Sequence, residues 1–117
     1  DLKYYVAMAK EMEAAGAHIL GLKDMAGLLK PAAATALVKA LKDELTIPVH
    51  YHTHDTAGIA CGSILAASEA GVDAVDCAMD AFSGNTSQAT LGTVVSSLQN
   101  TPRDTGLNMG AVREIAD

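Results

Sequence analysis

Apolar residues recur along this chain in two rhythms, and the rhythm changes at glycines and prolines. From Leu2 to Ala15 the positions Leu2, Tyr5, Ala9 and Met12 share one helical face, while Lys3, Lys10, Glu11 and Glu13 take the others. Gly16 follows, suited to the left-handed conformation just past a last helical turn. Ala17 to Leu22 is a short apolar run of strand length that stops at Lys23-Asp24, with His18 an ordinary residue at its start. Pro31 suits a first helical turn, and Ala34, Leu37, Val38, Leu41 and Leu45 make the buried stripe of a second helix. Lys39, Lys42 and Asp43 lie off that stripe, on a solvated face. Ile47-Pro48-Val49 opens a second strand running through Thr53, with proline tolerated only near its beginning.

The second half repeats the scheme. Asp55 or Thr56 caps a third helix whose Ala60, Ile64, Leu65 and Ser68 face the sheet, and Gly71 closes it. Val72 to Ala78 is a third strand, and a polar loop, Asp80 to Gln88, leads to a fourth helix marked by Leu91, Val94, Val95 and Leu98. Pro102 and Gly106 mark a turn region, after which Asn108 caps a last helix carrying Val112 and Ile115. The helix-glycine-strand junction at Glu13 to Leu20 recurs at Glu69 to Val75. Parallel strands joined by right-handed helical crossovers give either an open doubly wound sheet or a slice of a closed barrel. No Gly-x-Gly-x-x-Gly follows a strand, which weighs against the dinucleotide-binding sheet. Polar residues gather instead after every strand, at Lys23-Asp24, His52 to Thr56 and Asp76 to Gln88, as the catalytic rim of a barrel demands. The expected fold class is α/β, with consecutive βα units forming part of a (β/α)8 TIM barrel: three parallel strands and four to five helices. Three strands cannot close a barrel, so residues 1–117 read as an internal fragment of a TIM-barrel domain with two open sheet edges. A start at Asp1, inside an amphipathic segment and without an initiator Met, agrees with an excised piece.

Composition narrows the partners. Half of the 117 residues are apolar but only 3% are aromatic, the signature of α/β layers in which small side chains let helices sit close on a sheet. A net charge of −6 and the lack of any Lys/Arg cluster argue against nucleic acid and against an anionic membrane surface. No apolar run reaches membrane-spanning length. Cys61 and Cys77 show no Cys-x-x-Cys spacing, so free buried thiols in a reducing compartment are expected.

The chemistry centres on Tyr51-His52-Thr53-His54-Asp55-Thr56. A strand's period of two sets His50, His52 and His54 on one face, and two neighbouring imidazoles can converge on one divalent metal ion without bending the backbone. On a barrel rim Lys23 should face this pair. An ammonium beside a metal is repelled, and burial next to a cation lowers a lysine's pKa. The neutral amine can then react with carbon dioxide to give a carbamate, an anionic oxygen ligand. The competing arrangement is a rim ion pair of Lys23 with Asp24 or Asp55. Asp55 is equally a helix cap, and Met25 and Met79 are packing residues.

Three stretches carry a resemblance. Gly21-Leu22-Lys23-Asp24-Met25-Ala26-Gly27-Leu28-Leu29-Lys30-Pro31, His52-Thr53-His54-Asp55-Thr56-Ala57-Gly58 and Glu69-Ala70-Gly71-Val72-Asp73-Ala74-Val75-Asp76 resemble the carboxyltransferase domain of biotin-dependent pyruvate carboxylase, over essentially the whole chain. Ser83 to Gln88 is more similar to that family's third loop than to the Gly-rich loop of its relatives, the oxaloacetate decarboxylase α subunits and the transcarboxylase 5S subunit. Ala89 stands where the family usually has proline. The resemblance implies that Lys23 is a carboxylated, catalytic metal ligand and that His52 and His54 are the two histidine ligands. It implies a fourth ligand, an Asp, and the pyruvate-holding Gln and Arg upstream of Asp1, and a proton-shuttling Thr downstream of Asp117. The implied reaction moves a carboxyl group from carboxybiotin to pyruvate, giving oxaloacetate. Its implied requirements are a divalent metal (Mn, Zn or Co), biotin on a separate carrier domain that docks here, and ATP with Mg at a further domain. A homo-oligomeric parent, a tetramer, in a bacterial cytoplasm or the mitochondrial matrix completes the expectation. Two other readings stand beside it: a metal-dependent aldol/Claisen lyase or synthase, whose corresponding lysine would offer no carbamate, and an inactive structural fragment that associates through its open edges.

Overall fold

The structure, a computed structural model, describes residues 1–116. One three-stranded parallel sheet, in the order β1 (Leu20–Asp24), β2 (Val49–Thr53), β3 (Ala74–Val75), is crossed over by helices, so that sequence neighbours are also spatial neighbours. The helices are α1 (Leu2–Ala14), α2 (Pro31–Glu44), α3 (Ala60–Ala70), α4 (Leu91–Leu98) and α5 (Met109–Ala116), with a 3₁₀ turn at Asp80–Phe82. Strands that add in chain order, each followed by a helix, make an arc of a (β/α)8 barrel wall, the α/β class expected.

The core lies between the helices and one face of the sheet. Along β2, Val49, Tyr51 and Thr53 are buried while His50 and His52 are half-buried on the opposite face. Ala34, Val38 and Leu41 of α2 and Ile64 and Ala67 of α3 meet them, as the helical stripes require. Buried hydroxyls are mostly satisfied: Ser68 Oγ donates to Ile64 O at 2.8 Å, and Ser63 Oγ donates to Leu29 O at 2.5 Å. Tyr51 Oη is the exception, buried without a hydrogen-bond partner among the described residues.

Four expectations need correction. β1 begins at Leu20 rather than Ala17, because the first ladder bond runs from Leu20 N to Pro48 O and Ala17 N is already donating to Met12 O at the end of α1. Thus Ile19 is exposed. β3 is two residues long, not seven. Asp73 N and Asp76 N still donate to Val49 O and Tyr51 O, but beyond them Ala78 bridges Thr90 instead of β2. α3 starts at Ala60, with Asp55 reaching over the intervening turn to accept from Ala60 N at 3.0 Å. Of the α1 stripe only Ala9 is buried; Tyr5 and Met12 stay exposed along an apolar cleft of about 480 Å³ that Leu20 and Leu22 also line.

Two side chains given bland roles behave differently. Lys42 is no mere solvated lysine, since its Nζ lies 2.7 Å from Asp73 Oδ2, which also accepts from Val49 N at 2.8 Å. Met25 does not pack; it is 66% exposed. Both cysteines are free but only partly buried, and burial pushes the Cys77 thiol up to about 11. Among the described residues no helix is long and apolar enough to cross a membrane.

Candidate metal centre

Strand alternation sorts the polar residues at the rim. β1 and β2 pair with Lys23 opposite His52, and Gly21 opposite His50, so these four share the face turned away from the helices. Asp24 therefore points the other way from its neighbour Lys23. Its carboxylate accepts from Leu28 N at 3.1 Å and Leu29 N at 2.8 Å, folding the loop after β1 back on itself. Asp55 is occupied by Ala60 N. Among the described residues Lys23 forms no ion pair, so the rim pair with Asp24 or Asp55 does not form.

His54 stands one residue past the end of β2, where its N–H donates to Asp24 O at 3.1 Å and extends the ladder. The His52 and His54 rings meet edge to face, with centroids 5.2 Å apart and planes at 78°. Two imidazoles sharing one tetrahedral ion through nitrogen, at a bond of roughly 2.1 Å, would hold their centroids about 5 Å apart. The observed separation fits that requirement.

Hydrogen bonds fix which nitrogen is free. His54 Nδ1 lies 2.6 Å from Thr86 O, and a carbonyl oxygen can only accept, so Nδ1 carries the proton. His52 Nδ1 likewise donates to Asp76 Oδ2 at 2.7 Å. A neutral ring with its proton on Nδ1 keeps a lone pair on Nε2, the tautomer that a metal ligand needs. His50 Nε2 comes within 2.9 Å of Asp76 Oδ1 but without hydrogen-bond alignment, making that contact an electrostatic one. Burial would raise the Asp76 pKa, yet the hydrogen bond from His52 and the proximity of His50 outweigh it, holding the carboxyl below its usual range.

Two loops grip His54. Asp55 N donates to Ser87 O at 2.8 Å and Asp55 bridges Asn85, which fastens the third loop to the end of β2 and brings Thr86 O to the ring. From the other side Gly27, at a φ of +65°, comes so close that a Cβ there would lie 2.1 Å from His54 O. Sequence reasoning named Lys23, His52 and His54 but missed Asp76, Thr86 and Gly27 as their supports. Asp76 sat in the polar cluster after the third strand, but its pairing spans 24 positions and becomes visible only once the sheet is built.

The donor set is two imidazoles and an amine. Among the described residues no group of three or more His, Cys, Asp or Glu could enclose an ion, and the candidate donor beside the two imidazoles is the Lys23 amine, in register with His52. A neutral lysine amine attacks carbon dioxide, forms a carbon–nitrogen bond and sheds a proton, leaving a carbamate oxygen of the hard character that Zn²⁺ or Mn²⁺ accepts.

The chain is similar to large multidomain proteins. It is 52% identical over 110 residues to pyruvate carboxylase 1 of Caenorhabditis elegans, covering 93% of this chain and 9% of that protein. Over 112 residues it is 52% identical to pyruvate carboxylase of Bacillus subtilis, covering 96% and 10%. The carboxyl transferase domain from Rhizobium etli pyruvate carboxylase, solved with pyruvate and biocytin, superimposes with a TM-score of 0.97 at 60% identity, covering 99% of this chain and 20% of that one. The chain thus spans about a tenth of the length of the curated relatives it matches. The family profile described as HMGL-like matches residues 1–117, from one end of the sequence to the other, and the chain belongs to the HMGL-like family.

Proposed function

We propose that residues 1–117 are an internal part of the carboxyltransferase domain of a pyruvate carboxylase, and that Lys23, His52 and His54 hold its divalent metal. The observation that supports this best is the paired imidazoles with both Nδ1 atoms spent, standing beside a lysine in register with one of them. The relatives are named pyruvate carboxylases, one solved as a carboxyl transferase domain with pyruvate and biocytin. The reaction we infer for the parent moves carboxyl from carboxybiotin to pyruvate, giving oxaloacetate, with a carrier domain delivering the biotin. When bound, a divalent ion supplies positive charge that lowers the energy of a developing enolate.

The residues of this chain have the supporting tasks. Lys23 offers an amine that, once carboxylated, contributes an anionic oxygen. His52 and His54 offer neutral nitrogens, and Asp76 and Thr86 hold the protons on the far side of each ring. The ion is Mn²⁺, Zn²⁺ or Co²⁺, ATP and Mg²⁺ act at a separate domain, and the parent is a homotetramer of a bacterial cytoplasm or the mitochondrial matrix.

The test uses the full-length protein. His52→Ala should strip the metal from this site and lower oxaloacetate formation at least a hundredfold, while ATP-dependent carboxylation of biotin continues. Equal loss of both half reactions, or full metal content in the variant, contradicts the reading. Mass or electron density for an unmodified Lys23 in the metal-loaded protein would favour a lyase-type centre instead.

A further inference from the structure

Asp76 touches neither the sheet's core nor the loop backbone with its carboxylate; both oxygens are turned to histidines. Its position is set by the main chain, since Asp76 N donates to Tyr51 O at 3.1 Å and so continues the β2–β3 ladder one step past β3. The residue is therefore fixed at its backbone and free to aim its side chain across β2. There Oδ2 takes the Nδ1 proton of His52 at 2.7 Å, and Oδ1 lies 2.9 Å from His50 Nε2, on the ring two residues back along the same face. A single carboxylate spans two successive inward rings of one strand.

This geometry has a chemical consequence. An imidazole with nothing on either side populates both tautomers and turns about its χ angles; a carboxylate on one nitrogen removes both freedoms at once. The same anion makes the opposite nitrogen a better electron-pair donor. His54 differs, because its proton is held by a neutral carbonyl, Thr86 O. The two rings thus have unequal supports, one charged and one not.

We propose that Asp76 is a positioning residue for the metal centre: it locks His52, the ring in register with Lys23, in the tautomer that leaves Nε2 unprotonated, and raises that nitrogen's affinity for a divalent cation. The inference rests on the metal reading above and adds a residue to it. Asp76 does not contact the ion. It acts only through His52.

The experiment measures Zn²⁺ and Mn²⁺ affinity by chelator competition in the full-length protein, with metal content after dialysis and the unfolding profile of the metal-free forms. Asp76→Ala should weaken metal binding about 10- to 100-fold, the usual effect of removing a carboxylate behind a metal-bound histidine. Asp76→Asn keeps an oxygen that can accept the Nδ1 proton but drops the charge, so it should recover part of that loss. Metal-free Asp76→Asn should unfold like the metal-free parent, which separates a positioning effect from damage to the fold. Affinity within twofold of the parent in Asp76→Ala, alongside metal loss in His52→Ala, overturns the role of Asp76 and leaves the metal reading standing. A parent protein whose affinity is untouched by His52→Ala overturns both.

Discussion

Gly27→Ala is the sharpest probe of how His54 is held. The new Cβ would lie 2.1 Å from His54 O and 3.1 Å from its carbonyl carbon, whereas real Cβ atoms keep at least 3.0 Å from their neighbours. Relief needs a displacement of about 0.9 Å between two backbone segments, and overpacking of this kind costs roughly 1–3 kcal/mol. The left-handed φ of +65° adds about 1–2 kcal/mol for a residue with a Cβ. Gly58 supplies the control, because it has a similar φ of +74° and open space around its missing Cβ. Gly58→Ala should carry the backbone cost alone. Hydrogen exchange read by mass spectrometry on the full-length protein compares the two, each at amides of its own turn: Leu28 and Leu29, which Asp24 holds, for Gly27→Ala, and Ala60, which Asp55 holds, for Gly58→Ala. The contact alone should make exchange beside residue 27 in Gly27→Ala speed up about 5- to 150-fold more than exchange beside residue 58 does in Gly58→Ala. Equal effects of the two substitutions would mean that the loop yields freely and does not clamp His54, and the account of that grip would be wrong.

Other consequences can be checked in the same full-length background. Asp73→Ala removes the acceptor of Val49 N and the partner of Lys42, and should lower local stability at the start of β2 by about 1 kcal/mol once solvent exposure is allowed for. Burial raises the Asp73 pKa, but Lys42 and the Val49 amide lower it further, so its folded value sits below its unfolded one. Its contribution is then complete above the ordinary carboxylate value of about 4 and disappears as pH falls through the lower folded value, so the parent and variant should converge in acid. Persistence of the difference in strong acid would contradict this. Tyr51→Phe deletes a buried hydroxyl without a partner and should leave β2 unchanged or more protected by about 1 kcal/mol; a loss of protection larger than that would reveal a hydrogen bond to Tyr51 Oη.

Much of the fold was legible because it depends on local periodicity. Of the α2 stripe, Ala34, Val38, Leu41 and Leu45 are buried as read and Leu37 is half-buried, Pro31 opens that helix, Gly71 closes α3 in the left-handed conformation, and Asn108 Oδ1 accepts from Ala111 N at the start of α5. Neighbouring strand ends of a barrel rim were expected to set Lys23 facing the histidines, and the register pairs Lys23 with His52. What failed depended on partners. Val72 to Ala78 reads as a strand of seven residues, but a strand needs a neighbour, and beyond Asp76 the chain bridges from Ala78 to Thr90 instead. Likewise the α1 stripe is periodic without being buried, since nothing among the described residues covers Tyr5 and Met12. Periodicity names a face but not what lies against it. The supports of the histidines, Asp76 and Thr86, were hidden for the same reason, as each comes from a segment brought near only by the parallel crossover.

Lys23 and Asp24 are consecutive, oppositely charged and turned to opposite sides of one strand, which makes the centre unusually sensitive to phase. A slip that advances β1 by one position would set Asp24 opposite His52 and turn Lys23 to the far face, while the reverse slip would set Leu22 there and put Lys23 where the Leu28 and Leu29 amides need an anion. Deleting one residue between Ala17 and Ile19, a segment with no ladder bonds to resist it, would thus exchange a carbon dioxide-reactive amine for an acid, and inserting one would exchange it for Leu22, while every side chain of the motif stays in the polypeptide.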